Sequence, residues 1–157
     1  MPAFKPTATA AVHPECELCR EAGGTLVFQS PHWRVIRPDE PDFPAFYRVV
    51  WREHVAEWTD LSLAQQGEVM GAVGAVERVL RTRLAPAKIN LASLGNMTPH
   101  VHWHVIARFA WDSRFPTPVW SPPLREVIPP PAQRLGVSLD ALDALVGRAV
   151  AALAPAL

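Results

Sequence analysis

The sequence predicts an α+β fold in which helices pack against one antiparallel sheet. Five segments have the pattern of short strands, and two longer segments repeat apolar residues at helical spacing. The predicted elements follow one another in the order β-β-β-α-β-β-α. This order predicts an antiparallel five-stranded sheet covered by helices.

The first three strands are predicted in the first third of the chain. TLVFQ (25–29) and HWRVIRP (32–38) are the first two, and Ser30-Pro31 between them indicates a tight turn. The segment DEPDFPA is predicted to be a loop, and FYRVVW (46–51) is the third strand.

A long helix is predicted to run from about residue 62 to residue 84. Ser62 and Gln65 have the spacing of a capping box, and Pro86 favours an end before it. Glycines at 67, 71 and 74 either permit close packing or weaken the helix, because glycine is a poor helix former. Apolar residues follow helical spacing along one face: Leu63, Met70, Val73, Val76, Leu80 and Leu84.

Two more strands and a second helix are predicted after this point. The strands are KINLAS (88–93) and a histidine-containing strand over 100–108, with a turn between them. Residues 116–131 contain seven prolines and are expected to lack regular structure. The second helix is indicated by Leu139, Leu142, Val146, Ala149 and Leu153.

Length and composition indicate one globular domain. At 157 residues the chain can bury roughly two-thirds of its unfolded surface. We divide it into a flexible leader (1–13), a central domain (14–112), and a proline-rich segment with the C-terminal helix (113–157).

Charge and apolar runs limit the expected partners and location. The charges of the 15 basic and 15 acidic side chains cancel. The sequence also has no stripe of basic residues of the kind that would predict binding to nucleic acid. The apolar runs are too short to span a bilayer, and the N-terminus lacks the apolar stretch of a secretory signal. We therefore expect a cytoplasmic protein that binds neither nucleic acid nor membranes.

Half of the six histidines lie in one run, HVHWHVIARF, at residues 100, 102 and 104. In a strand these three side chains project from one face, and Val101, Trp103 and Val105 project from the other. A strand with histidines of no chemical role is one interpretation. A three-histidine metal centre is a second, although the three positions span about 13 Å. Nucleophilic attack of an imidazole on phosphorus is the third.

The run HVHWHVI resembles the signature of the histidine triad (HIT) superfamily, in which three histidines alternate with apolar residues. The order of elements over roughly residues 14–110 is similar to that superfamily as well, and the run from Lys88 to Trp120 resembles a bacterial branch of it. The resemblance implies a HIT-like fold and a homodimer. It also implies hydrolysis or transfer of nucleotidyl groups, with a nucleoside phosphoramidate or a dinucleoside polyphosphate as substrate.

The resemblance implies a role for each residue of the site. His102 is expected to attack the α-phosphorus, His104 to hydrogen-bond the phosphate oxygens or the leaving group, and His100 to orient the site. Asn96 is expected to donate to the phosphate, the alternative being a plain turn residue, and Asn90 is a further substrate-binding candidate. A nucleotide-binding regulatory module without catalysis is the alternative function, and a metal-dependent hydrolase is a third.

Cys16 and Cys19, in the run CELC, form a redox pair, half of a metal site or a chance pair. Zinc prefers four sulfur or nitrogen ligands in a tetrahedron. Some members of the superfamily hold a structural zinc with two leader cysteines, a histidine before the long helix and the first triad histidine. The resemblance thus implies that Cys16, Cys19, His54 and His100 bind zinc; the alternative is a surface histidine and thiols without metal.

Two tryptophans flank the segment that follows the histidine strand. Trp111 and Trp120 are expected either to pack or to cover the pocket, where an indole could stack on a base. The run DSRFPTPVW (112–120), which ends at Trp120, is similar to the segment that follows the three histidines in the bacterial branch, but its residues indicate no role.

Overall fold

A five-stranded sheet forms the centre of the molecule. The computed structural model describes residues 3–7 and 13–153. Its strands are β1 (Thr25–Gln29), β2 (Trp33–Arg37), β3 (Phe46–Trp51), β4 (Lys88–Ala92) and β5 (His102–Arg108). They lie in the order β1-β2-β3-β5-β4, and every neighbouring pair is antiparallel. The predicted α+β fold is therefore confirmed.

In the described ranges, α2 (Leu63–Leu84) and α3 (Leu139–Ala151) pack on this sheet, and the short α1 (Glu17–Arg20) comes before its first strand in the chain. The long helix begins as predicted: the Ser62 hydroxyl accepts from the Gln65 N–H, and the Gln65 side chain accepts from the Ser62 N–H. It ends at Ala85, whose backbone is left-handed (φ 44°), directly before Pro86. Short 3-10 turns lie at Trp58–Asp60 and Pro131–Arg134.

The two faces of the sheet differ in what covers them. On one face Tyr47, Val49 and Val105 are fully buried in a core shared with α2 and α3. Apolar burial of this kind is the main favourable term in folding. The opposite face of β5 carries His102 and His104, so the core holds the histidine strand rigidly from behind.

The histidine strand begins two residues later than predicted. The His100 N–H donates to the Thr98 carbonyl in a turn (2.8 Å), and the Val101 N–H donates to the Val55 carbonyl (2.7 Å). These bonds hold both residues outside the regular ladder, which begins at His102. The prediction of a strand over 100–108 is thus wrong for its first two residues.

The C-terminal region follows its prediction except at the end. Leu142 and Val146 are fully buried, and Val150 is buried one turn later. Leu153 is exposed beyond the end of α3, so the predicted apolar face stops before it. Residues 116–130 form neither helix nor strand, as predicted, but Pro131, the last residue of the predicted irregular segment, begins the 3-10 turn Pro131–Arg134.

Much of the predicted leader, residues 1–13, lies outside the described residues. Within the described part, Thr7 is buried; its N–H donates to the Cys19 carbonyl, and its hydroxyl donates to the Arg52 carbonyl. The division at residues 13 and 112 stays a prediction. None of the helices in the described ranges combines the length and apolar character needed to cross a membrane.

Candidate active site and metal centre

Two of the three clustered histidines line one cavity, here called the histidine cavity, of about 420 Å³. His102 pairs with Val50 on β3, and His104 pairs with Arg48, so both imidazoles lie over the same part of the sheet. Their ring centroids are 4.9 Å apart with the planes nearly perpendicular. The other lining residues are Glu17, Leu18, Arg48, residues 94–98 and Trp120.

The hydrogen bonds of His102 fix its tautomer. Its Nδ1 lies 2.6 Å from the His100 carbonyl oxygen, which can only accept, so Nδ1 carries the proton. Burial, together with the charge of Arg48, lowers the pKa of His102 below its ordinary value. At neutral pH the ring is therefore neutral, and Nε2 holds an unshared electron pair.

His104 has the opposite tautomer. The Nε–H of Arg48 donates to its Nδ1 at 3.4 Å, which leaves the proton on Nε2. Burial, His102 and Arg48 together lower the pKa of His104 to about 3. The cavity thus contains one imidazole that can attack and one that can donate a hydrogen bond.

His100 lies apart from the histidine cavity. Its Nε2 donates to the Trp51 carbonyl at 2.6 Å, and its Nδ1 lies 3.4 Å from the Cys16 sulfur and 3.5 Å from the Cys19 sulfur. Burial lowers the pKa of His100 to about 4. Only its carbonyl reaches His102, so the three histidines divide between two neighbouring sites.

The two asparagines also separate. Asn96 lines the histidine cavity, in a loop where Gly95 has a positive φ of 79°. Asn90 lies on β4, lines a different pocket, and its Oδ1 accepts from Arg108 at 2.8 Å. Arg108 is itself buried. The substrate-binding role of either asparagine stays a prediction.

Sequence reasoning missed Arg48 and left Trp120 undecided. Arg48 is a lone charged side chain inside the apolar strand FYRVVW, which was the available signal. Its place in the site depends on the register of β3 with β5, which sets Arg48 opposite His104. Trp120 lies beside His104, with ring centroids 5.4 Å apart, and 55% of its surface is exposed.

Four residues bring together the donors of a metal site: Cys16, Cys19, His54 and His100. All four ligand atoms lie within 4.8 Å of one another. The Sγ–Nδ1 distances are 3.4 Å for Cys19 with His54 and 3.4 and 3.5 Å for the cysteines with His100. A tetrahedral zinc with ordinary bond lengths separates sulfur from nitrogen by about 3.6 Å. The four side chains could therefore hold a metal ion with little movement.

The partners of the ligands support this geometry. The Nε2–H of His100 donates to the Trp51 carbonyl, which directs Nδ1 to the cysteines, as carbonyls commonly do for metal-binding histidines. His13 stacks on His54 with ring centroids 3.7 Å apart. The buried Arg34 donates to the carbonyls of Leu18, Glu21 and Ala22 and so holds the turn that carries both cysteines.

Comparison with known proteins identifies the fold. A histidine triad protein from Bradyrhizobium japonicum is 24% identical, with a TM-score of 0.66 over 95% of this chain and 99% of that one. A histidine triad protein from Marinobacter aquaeolei is 25% identical, with a TM-score of 0.66 over 85% and 93%. A hypothetical histidine triad nucleotide-binding protein from Sulfolobus tokodaii is 14% identical, with a TM-score of 0.54 over 92% and 91%.

At the sequence level, no curated protein matches the chain. A family model for the HIT domain matches residues 20–111, which is more than half of the chain and includes all three clustered histidines. The resemblance of the HVHWHVI run and the predicted HIT-like fold are thereby confirmed. The chain belongs to the HIT domain family.

Proposed function

We propose that this protein hydrolyses or transfers nucleotidyl groups through a covalent intermediate on His102. The observation that carries the proposal is the hydrogen bond from His102 Nδ1 to the His100 carbonyl. It leaves Nε2 of a neutral, buried ring as the nucleophile in a cavity that has room for a phosphate group. The substrate class is a nucleoside phosphoramidate or a dinucleoside polyphosphate.

The reaction has two displacements at the α-phosphorus. First, His102 Nε2 forms a bond to phosphorus, and the bond to the leaving group breaks; an amine or a nucleoside phosphate departs with the electron pair and takes up a proton from water. Second, a water molecule attacks phosphorus and gives up a proton to the solvent, the bond to Nε2 breaks with its electron pair returning to nitrogen, and the nucleoside monophosphate is released. His102 returns to its neutral form.

Three neighbours of His102 assist in this proposal. The Nε2–H of His104 hydrogen-bonds the phosphoryl oxygen or the leaving atom, because Arg48 occupies its Nδ1. The guanidinium of Arg48 adds a positive charge where the phosphoryl group gains negative charge. Asn96 in the 94–98 loop supplies an amide donor from the other side of the cavity.

Turnover of a phosphoramidate that releases AMP tests this function. His102→Ala should lower kcat by at least about a thousandfold, since the nucleophile is lost. His32→Ala is the matched control, because His32 is half-exposed and pairs with Glu68 outside the cavity. Equal turnover by His102→Ala and wild type would refute the nucleophile. Tight AMP binding by calorimetry without product over hours would instead favour the nucleotide-binding module.

The metal part of the proposal is a structural zinc bound by Cys16, Cys19, His54 and His100. When bound, zinc supplies four strong bonds that tie the segment carrying Cys16 and Cys19 to His100, two residues before β5, and it takes no part in the chemistry. Buried thiols that serve as ligands must stay reduced, which supports the cytoplasmic location that we propose.

We also propose that two copies associate. Strand β4 is at the end of the sheet, and its Leu91 is exposed. An edge strand with an exposed apolar residue is a surface for pairing with another chain. Light scattering should therefore give twice the chain mass, and Leu91→Lys should shift it toward the monomer; a monomeric wild type would contradict the homodimer.

A further inference from the structure

The backbone around Trp120 is held in place, whereas its side chain is exposed. Val119 is buried in a cluster with Phe43, Phe46 and Ile106. On the other side, the carbonyl of Ser121 accepts from Arg114 Nε at 2.6 Å. Trp120 is nevertheless 55% exposed, and it lines the histidine cavity as well as two neighbouring pockets. A fixed backbone that presents an exposed aromatic ring is typical of recognition rather than packing.

A buried ion pair shapes the segment that presents this ring. Arg108, only 1% exposed, donates to both carboxylate oxygens of Asp112 and to the Thr117 carbonyl. Asp112 also accepts from the backbone N–H groups of Phe109, Arg114 and Phe115. We call this segment, residues 109–121, the tryptophan wall. It is built by hydrogen bonds of its own, although it contains neither helix nor strand.

The position of the ring indicates what it recognises. Trp120 contacts the His104 ring, with centroids 5.4 Å apart and planes at 66°. In the proposed function the Nε2–H of His104 hydrogen-bonds either the phosphoryl oxygen or the leaving atom, and the second of these roles puts His104 on the side of the leaving group. The indole is thus next to the atoms that depart, and its exposed surface is free to stack on a planar group.

We propose that Trp120 determines which leaving groups the enzyme accepts, and that Arg114 is the positioning residue that holds it. The favoured class is a planar, aromatic group attached to the phosphoryl centre. This inference rests on the proposed function, because it takes its direction from the role of His104.

The test compares two phosphoramidates of the same nucleoside monophosphate, an anilide and a methylamide. Trp120→Ala should lower kcat/KM for the anilide about tenfold and leave the methylamide within twofold, since aromatic stacking contributes about that factor. Trp120→Phe should retain most of the preference. Leu124→Ala is the matched control, because Leu124 is also 55% exposed and lies outside the histidine cavity. An equal loss for both substrates, or none, would overturn the proposal.

Positioning by Arg114 has its own pair of variants. Arg114→Met removes the donor to Ser121 and the ion pair with Asp42, whereas Asp42→Ala removes only the ion pair. We expect Arg114→Met to lower the anilide preference about threefold, which is less than the whole indole contributes. Asp42→Ala should leave that preference unchanged. If Arg114→Met leaves the anilide preference unchanged, as Asp42→Ala is expected to do, Arg114 has no positioning role.

Binding of unreactive ligands separates this proposal from the proposed function. If the wild type turns over neither substrate, the proposed function fails. Phenylphosphonate and methylphosphonate then test the wall by calorimetry. Wild type should bind phenylphosphonate about tenfold more tightly, and Trp120→Ala should abolish that difference. Absence of any preference for phenylphosphonate, including no binding of either ligand, overturns the role of Trp120.

Discussion

The histidine cavity has two walls that are held by different means. One, here called the leader wall although it follows the predicted leader (1–13), is formed by Glu17 and Leu18 on the short helix that also carries Cys19. The other is the tryptophan wall, held by the buried pair of Arg108 and Asp112. The first depends on thiols and imidazoles that could bind a metal ion, whereas the second depends on charges that are always present at neutral pH. We therefore predict that metal binding affects the leader wall and leaves the tryptophan wall unchanged.

Breaking the ion pair should have the largest effect on stability. Asp112→Ala leaves the guanidinium of Arg108 buried without its partner, which costs about 3–5 kcal/mol. Urea unfolding at pH 7 measures the loss. Asp42→Ala is the control, because its pair with Arg114 is half-exposed and should contribute less than about 1 kcal/mol. Similar losses for the two variants would mean that burial of the pair is unimportant.

The same pair predicts sensitivity to acid. Burial raises the pKa of Asp112, but hydrogen bonds from Arg108 and from the Arg114 and Phe109 N–H groups outweigh it and hold the pKa below 3.8. A lowered pKa contributes stability above pH 3.8 that is lost as the pH falls through the value in the folded protein. The free energies of unfolding of wild type and Asp112→Asn should therefore converge as the pH falls below the pKa of Asp112 in the folded protein. A constant difference down to pH 2 would contradict this.

Removing the metal should have the next largest effect, and it should be confined to the leader wall. A site that binds only the folded protein adds about 2.7 kcal/mol when free zinc is a hundredfold above its Kd. Wild type should contain one zinc per chain by elemental analysis, and its Tm should rise with added zinc. The double variant Cys16→Ser, Cys19→Ser should contain none and ignore added zinc. A zinc-independent Tm in wild type would exclude a stabilising metal.

A smaller effect is expected from Arg34, which holds the turn that carries Cys16 and Cys19. Arg34→Met removes three donors to the carbonyls of Leu18, Glu21 and Ala22. Zinc affinity, measured against a chelating dye, should fall about tenfold because the ligands lose their support. Arg20→Met on the exposed side of α1 should leave the affinity unchanged. If both variants bind zinc as wild type does, Arg34 does not support the site.

The smallest effect should come from α2, away from both walls. A Cβ at Gly67 meets no atom within 4 Å, so Gly67→Ala should stabilise the protein by about 1 kcal/mol. In α3 a Cβ at Gly147 would lie 3.3 Å from the Val27 carbonyl oxygen, and Gly147→Ala should destabilise instead. Thermal unfolding of both variants tests this. A loss of stability in Gly67→Ala would mean that this glycine is needed for packing.

Local signals predicted the elements, but contacts between distant residues decided the site. Ser62 and Gln65 were enough to predict the start of α2, and the residues of β3 and their apolar pattern predicted its bounds. The turn at His100 was not predictable from alternation, because it depends on bonds to Val55 and Trp51, about fifty residues earlier. The alternating histidines alone predicted one site where there are two.

The tryptophan wall shows the same limit more strongly. The prolines predicted the lack of regular structure from residue 116 onward, and this is correct for the part of the wall that they cover. The order within it comes from the pairing of Arg108 with Asp112 and Thr117, which no periodicity expresses. Arg48 was overlooked for a related reason, since only the register of β3 with β5 places it at His104.

The double role of His100 changes how alanine scanning of the three histidines must be interpreted. Its carbonyl, which every amino acid has, serves His102, whereas its imidazole faces the cysteines. Replacing the side chain leaves the acceptor in the main chain and removes a donor atom from the neighbouring cluster. A defect in His100→Ala would accordingly report on the architecture around Cys16 and Cys19, and only variants of His102 and His104 would test the chemistry proposed for the histidine cavity.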